Sequence, residues 1–395
     1  MQLAQRLNSV TEPQTIKMAK LSRELKAKGV NIIDLSIGEP DFKTPEHICN
    51  AAVKAMSDGF TKYSPVAGFP DLLEAISIKL KRDNNLDYAA NEIIVSTGAK
   101  QSLANAVLSI VDPGDEVIIP TPYWVTYTSL VSLAGGVSKF IKCDIGNNFK
   151  LTPEQLEANI TSRTKLFIYS SPCNPTGSVY SKSELAALAE VFKRYPQVAI
   201  ISDEIYEYIN YNGHHESIAQ FEELRDRVLI VNGMSKGFAM TGWRLGYLAG
   251  PREIVQSCEK LQAQFTSGAN SIAQKAAVTA LLSDLAPTHK MVEAFRQRRD
   301  FVISALKKIP GLRVGDPEGA FYAFPDVTAF FGKSFSGNVI KNADDLSMYL
   351  LNEAHVATVC GGAFGDDDCI RISFATNMTN LMQAMERIGN ALAKL

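Results

Sequence analysis

Three strand-like runs in this chain end in groups that can do chemistry. Val228-Leu229-Ile230-Val231 leads into Asn232-Gly233-Met234-Ser235-Lys236, an amine in a small-residue turn, and Arg244 follows eight positions later. Val198 to Ser202 leads into Asp203-Glu204-Ile205-Tyr206. Lys165 to Ser170 leads into Ser171-Pro172-Cys173-Asn174-Pro175-Thr176-Gly177. An amine, an acid and an amide at successive strand ends are the groups a protein needs to hold pyridoxal phosphate as a Schiff base.

That cofactor makes five demands. Lys236 is the candidate amine for its aldehyde, where an isolated lysine would ordinarily be a solvated surface residue. Asp203 is the candidate partner of the pyridine nitrogen. A lone charge ending an apolar strand is costly without a partner, and an N-cap for a following helix is its other reading. Tyr206, on a helical turn three residues beyond Asp203, and Asn174 are the candidate donors to the phenolic oxygen. Core packing and a turn before Pro175 are their plain alternatives. For the phosphate, Ser96-Thr97-Gly98-Ala99-Lys100-Gln101 reads as a strand-to-helix turn with free backbone N–H groups, and Arg244 offers a bidentate fork. Trp124, in Thr121-Pro122-Tyr123-Trp124-Val125, is the candidate lid over the ring, or else core.

The elements that must position these groups alternate. Apolar β-branched runs recur at Glu92 to Ser96, Glu116 to Pro120, Val137 to Cys143, Lys165 to Ser170, Val198 to Ser202, Val228 to Val231 and Leu245 to Ala249, with helix-period segments between most of them. This predicts an α/β fold around a mostly parallel sheet covered on both faces. Ligands bind such sheets at the carboxyl ends of the strands, where Gly98, Asn174, Asp203 and Lys236 would converge. We expect a large cofactor-binding domain over 45–285. A smaller α+β domain is expected from both chain ends, comprising an arm and flank over 1–44 and a C-terminal part over 286–395. Helices are expected at 13–30, at 285–310 and from Asn377.

Together these motifs resemble the fold-type I, class I/II aminotransferases. The likeness rests on Asn174-Pro175-Thr176-Gly177, the Asp203/Tyr206 pair, Ser235-Lys236 with Arg244, Gly38-Glu39-Pro40-Asp41-Phe42, Tyr63-x-Pro65-x-x-Gly68, Asp112-Pro113-Gly114-Asp115 and Arg371-Ile372-Ser373. Within that family the chain is most similar to the bacterial Iβ aspartate aminotransferases. The resemblance implies a seven-stranded sheet and transfer of an amino group between aspartate, or a related amino acid, and 2-oxoglutarate. It implies that Arg371 grips the substrate α-carboxylate with Asn174 and the backbone at Gly38. Lys100 would face the distal carboxylate, and Ala99, Ser235 and Trp124 would join the cofactor and substrate contacts. Tyr63 would reach the phosphate of a neighbouring subunit in a homodimer. Two departures stand out. Cys173 replaces the Asn of many relatives. Glu12-Pro13-Gln14 replaces the usual basic residue and Ser of the arm, which weighs against arm-dependent substrates such as prephenate.

The alternatives are a broad-specificity aromatic or prephenate aminotransferase, another pyridoxal reaction on the same fold, and the aminotransferase-like part of a transcription regulator. Composition narrows the field. Hydrophobic residues are 46%, charged residues 21% and net charge −2, so nothing favours nucleic acid or an anionic membrane as partner. No apolar run approaches a membrane span. Six scattered cysteines without a CxxC pair suit a reduced, cytoplasmic enzyme. No G-x-G-x-x-G follows a strand. No metal site is expected: His214-His215 and Asp366-Asp367-Asp368 read as solvated loops.

Overall fold

A computed structural model describes Ala4, Arg6, Leu7 and residues 14–395. Glu12 and Pro13 of the arm lie outside the described residues. The helices are α1 (Gln14–Ala27), α2 (Glu46–Ser57), α3 (Pro70–Asn84), α4 (Ala99–Ile110), α5 (Thr126–Ala134), α6 (Pro153–Asn159), α7 (Lys182–Lys193), α8 (Arg252–Phe265), α9 (Ser271–Leu282), α10 (Ala286–Leu306), α11 (Ala343–Tyr349) and α12 (Met378–Leu392). The strands are β1 (Ile33–Asp34), β2 (Ile93–Ser96), β3 (Glu116–Thr121), β4 (Val137–Lys142), β5 (Thr164–Ser170), β6 (Ala199–Asp203), β7 (Val228–Gly233), β8 (Gly246–Ala249), β9 (Tyr322–Ala323), β10 (Ser334–Phe335), β11 (Asn338–Val339), β12 (Val356–Ala357), β13 (Val359–Cys360) and β14 (Ile370–Ser373).

Seven strands form one sheet in the order β2-β8-β7-β6-β5-β3-β4. β8 runs antiparallel to both its neighbours, and the other four pairings are parallel. All six residues of β7 are buried, as a strand covered on both faces requires. One apolar core joins the sheet to α2, α3, α7 and α9 through residues such as Ile48, Leu72, Leu185 and Ala276. The opposite face meets α4, α5 and α8 through Leu103, Leu130 and Val255. Local chemistry starts these helices where they start. Ser181 accepts the N–H of Glu184, and the Glu184 carboxylate accepts the N–H of Ser181, a reciprocal cap. Leu185, Leu188, Ala189 and Phe192 then place one stripe on the sheet.

A separate core combines Ile33 and Leu35 with residues of α10, α11 and α12. Here β1 pairs in parallel with β12, Ile33 opposite Val356. β13, β14 and β9 form an antiparallel sheet, and β10 with β11 makes a hairpin. On these cores we propose the division into 45–285 and a smaller unit from 1–44 with 286–395.

Three expectations are corrected. No helix follows Asp203: residues 205–208 form turns, so Tyr206 is carried by a bend and Asp203 caps no helix. His215 is buried, its Nε2 3.0 Å from Glu204 Oε2, because successive residues of β6 point to opposite faces and Glu204 needs a cation on its side. Asp366 is buried too, and its carboxylate accepts the N–H of Asp368.

Candidate active site

The loops after β2, β5, β6 and β7 open into one cavity of about 620 Å³. Its lining includes Gly38, Ala99, Lys100, Trp124, Asn174, Asp203, Tyr206, Ser235, Lys236, Arg244 and Arg371. Gly98 adjoins it as the residue that starts α4. Tyr63 does not reach the cavity: it is 98% exposed.

Lys236 follows β7 in a tight turn and donates from Nζ to the carbonyl oxygen of Gly38. Burial pushes its amine down to about 8, against the pull of Glu39 upward. Asp203, 3% exposed at the end of β6, is pushed up to about 6 by burial, while the Tyr127 hydroxyl and the Ile205 N–H hold it down. The Tyr127 hydroxyl donates to its Oδ2 at 2.7 Å. A buried acid and a part-buried amine thus share one pocket, both with affinities for protons moved toward neutrality.

At the start of α4 no side chain caps the helix, so its first N–H groups face the cavity. Gly98, at φ 79°, has no room for a side chain: a Cβ would stand 2.5 Å from Nη2 of Arg244. Arg244 reaches that point from a left-handed backbone (φ 53°, ψ 57°), an uncommon conformation for a non-glycine residue that concentrates at functional sites. Its Nη1 is anchored on the Thr241 carbonyl at 2.9 Å. A helix N-terminus, a glycine and a guanidinium make an anion cradle.

Arg371, from β14, is 3% exposed. Its Nη1 donates to Asn174 Oδ1 at 3.0 Å and its Nη2 to the Ser36 carbonyl at 2.7 Å, while its Nε is buried with no partner. A buried guanidinium that meets no carboxylate among the described residues is set to receive one. Lys100 extends its ammonium over the Trp124 ring, 4.9 Å from the centroid, and burial lowers its proton affinity.

Several lining residues escaped the sequence reading. Tyr127 is one; its position three residues past Trp124 was the only available signal. Tyr322, bonded to Tyr206 at 2.8 Å, sits in a run readable only as strand. Glu39 accepts from the Thr241 hydroxyl at 2.9 Å at the mouth, and α1 supplies Thr15, Ile16, Ala19 and Arg23.

A parallel sheet with an amine, an acid, an anion cradle and a buried arginine at its strand ends defines a group-transfer enzyme of the α/β class. The family "Aminotransferase class I and II" matches residues 30–388, and the chain belongs to that family. It is 46% identical over its whole length to a Petunia hybrida protein named bifunctional aspartate aminotransferase and glutamate/aspartate-prephenate aminotransferase, covering 83% of it. It is 45% identical to the aspartate/prephenate aminotransferase of Nitrosomonas europaea, covering all of both chains. Among solved structures, the aspartate aminotransferase of Rhizobium meliloti superposes with a TM-score of 0.97 at 44% identity, with all of both chains covered. That of Thermus thermophilus with maleate superposes at 0.93 and 38% identity, over 99% of this chain and 100% of that one. The fold is fold type I. No helix among the described residues is long and apolar enough to cross a membrane.

Proposed function

We propose that this chain is a pyridoxal-phosphate-dependent aminotransferase acting between aspartate, or a related amino acid, and 2-oxoglutarate. The observation that carries this is the Lys236 amine in the same cavity as the buried Asp203 carboxylate and the buried Arg371 guanidinium, whose Nε has no partner.

The residues present fit the cofactor. The bare start of α4 at Gly98, Ala99 and Lys100, with Ser235 and Arg244, suits its phosphate. Asp203 suits its ring nitrogen, Tyr206 and Asn174 its phenolic oxygen, and Trp124 one face of its ring. When bound, the cofactor supplies an electron sink for the pair released at the substrate Cα. The chain's own groups do the rest. Lys236 would hold the cofactor's aldehyde and, once displaced by the incoming substrate amine, would carry a proton between the substrate Cα and the former aldehyde carbon. A proton affinity lowered to about 8 lets the amine take up a proton in its neutral form and deliver it from its ammonium form. Asp203, kept anionic by the Tyr127 hydroxyl, holds the ring nitrogen protonated. Arg371 orients the α-carboxylate, helped by Asn174 and the Gly38 backbone. Lys100 is placed toward a distal carboxylate; the maleate in the name of the Thermus structure is such a dicarboxylate.

We place the protein in the cytoplasm, which fits six free cysteines. Its active unit is a homodimer in which Tyr63, outside its own cavity, serves the partner's phosphate. A wider range that includes prephenate draws support from the names of the Petunia and Nitrosomonas relatives.

Borohydride reduction of the cofactor-loaded protein, followed by peptide mapping, should find the reduced cofactor on Lys236 and none in Lys236→Ala. Label on another lysine overturns the assignment. A screen of amino donors against 2-oxoglutarate then decides between aspartate and the wider range.

A further inference from the structure

We infer that Tyr322 is a positioning residue that sets the direction of the Tyr206 hydroxyl proton, donating to the Tyr206 oxygen so that Tyr206 donates into the cavity. This rests on the reading of Tyr206 as a donor to the cofactor's phenolic oxygen.

Four observations meet at Tyr322. Its hydroxyl lies 2.8 Å from that of Tyr206, and both residues are buried. Its ring lies under the Arg371 guanidinium, 4.6 Å from centroid to Cζ. Its oxygen fills the space beside Gly38, where a Cβ would stand 2.7 Å away. Gly38 in turn receives the Lys236 amine on its carbonyl. Tyr322 therefore touches or neighbours the groups proposed for the phenolic oxygen, the α-carboxylate and the reactive amine, and no role has been given to it above.

The hydrogen bond between two hydroxyls can run either way, and the surroundings choose. A cation over the face of an aromatic ring withdraws electron density and makes its hydroxyl the stronger acid. Arg371 lies over Tyr322, and its positive charge lowers the Tyr322 proton affinity against the rise that burial causes. The more acidic hydroxyl donates. A tyrosine has one proton and two acceptor positions. Tyr206, accepting from Tyr322, keeps its own proton for the cavity and becomes a better donor through the chain of bonds. A donor on the phenolic oxygen stabilises negative charge there, and so lowers the proton affinity of the adjacent nitrogen that links cofactor and lysine.

The test is a pH titration of the visible absorbance of the lysine-held cofactor in wild type, Tyr206→Phe, Tyr322→Phe and the double variant. Tyr322→Phe keeps the ring under Arg371 and deletes only the hydroxyl. Its titration midpoint should rise by about 0.5–1 pH unit, in the same direction as Tyr206→Phe and by less. The double variant should match Tyr206→Phe alone, because Tyr322 acts through Tyr206. An unchanged midpoint, or one that falls, means that Tyr206 donates to Tyr322 and overturns the inference. So does a double variant that shifts further than Tyr206→Phe, and this arm decides the matter where Tyr322→Phe alone is poorly folded. A wild type with no lysine-held absorbance, or an unshifted Tyr206→Phe, removes the underlying reading instead.

Discussion

In the proposed function the choice of substrate turns on a single side chain, Lys100. Its backbone starts α4 at the anion cradle, while its ammonium stands over Trp124, beside the place where a substrate side chain would lie. In the proposed reading Arg371 meets the carboxylate common to all amino acids, whereas Lys100 meets only a second, distal one. Lys100→Ala should lower kcat/KM for aspartate and glutamate about ten-fold or more, which is about 1.4 kcal/mol, and should leave phenylalanine nearly unchanged. The ratio of aspartate to phenylalanine kcat/KM in the two proteins is the measurement, and an unchanged ratio removes Lys100 from substrate recognition. At this scale Lys236, Asp203 and Asn174 were legible because each ends or closely follows an apolar run, and strand ends in a parallel sheet converge; Arg244 was read from its place after Lys236. Tyr127 and Tyr322 were not. Their partners Asp203 and Tyr206 lie 76 and 116 positions away, and no local pattern encodes such a bond.

Among the elements, the seven sheet strands stand where the runs rich in apolar residues put them; the inner strands are covered on both faces and so mostly apolar, while β4, at the edge, keeps Ser138, Lys139 and Lys142. The miss lies just past β6. Asp203 faces the cavity and Glu204 the opposite side, where it accepts from Ser202 at 2.8 Å and Ser217 at 2.6 Å and pairs with His215. The neighbouring Glu207 pairs with buried Lys79. A loop rich in Asn, Gly and His looks solvated by composition, and only the buried charge of Glu204 draws it inward. Burial works against the charge of both members, yet Glu204 holds the proton affinity of His215 above its ordinary 6.5, and His215 holds that of Glu204 below its ordinary 4.5. The His215 contribution to stability is therefore fully present below pH 6.5 and is lost as pH rises through its higher folded value. The Glu204 contribution is present above pH 4.5 and is lost as pH falls through its lower folded value. His215→Ala should cost about 3–5 kcal/mol near pH 6, because it leaves a carboxylate buried and unpaired, and the gap to wild type should narrow at alkaline pH. Denaturant unfolding across pH 5 to 9 measures this; a gap that does not vary with pH refutes the pairing.

At the scale of the whole molecule, Tyr63 stands exposed outside the cavity, and the proposed homodimer would bring it to the partner's site. A shared site has a sharp consequence for mixed dimers. Combining inactive Tyr63→Ala and Lys236→Ala subunits should give hybrids in which one site carries both lesions and the other neither. Activity should return to about half of wild type per hybrid. Demonstrated subunit exchange with no recovery would show that Tyr63 acts within its own chain or not at all. Motif spacing made the lysine side of the site legible. The closure of the cavity by α1 was not legible, because α1 is placed by contacts with distant residues such as Leu351 and Ala357.

The pairing of β1 with β12 joins residue 33 to residue 356, and this orders events while the chain is being made. By the time residue 250 has left the ribosome, the lysine, its acid and the anion cradle all exist, and so do all seven strands of the large sheet. Gly38 and α1, although translated first, have no strand to dock on until the last forty residues or so emerge, and Arg371 arrives among these. The part proposed to hold the cofactor is therefore available to fold well before the part proposed to grip substrate. A chain that stops short of residue 356 keeps Lys236 but has neither the strand that seats β1 nor the arginine that would select what the lysine acts upon.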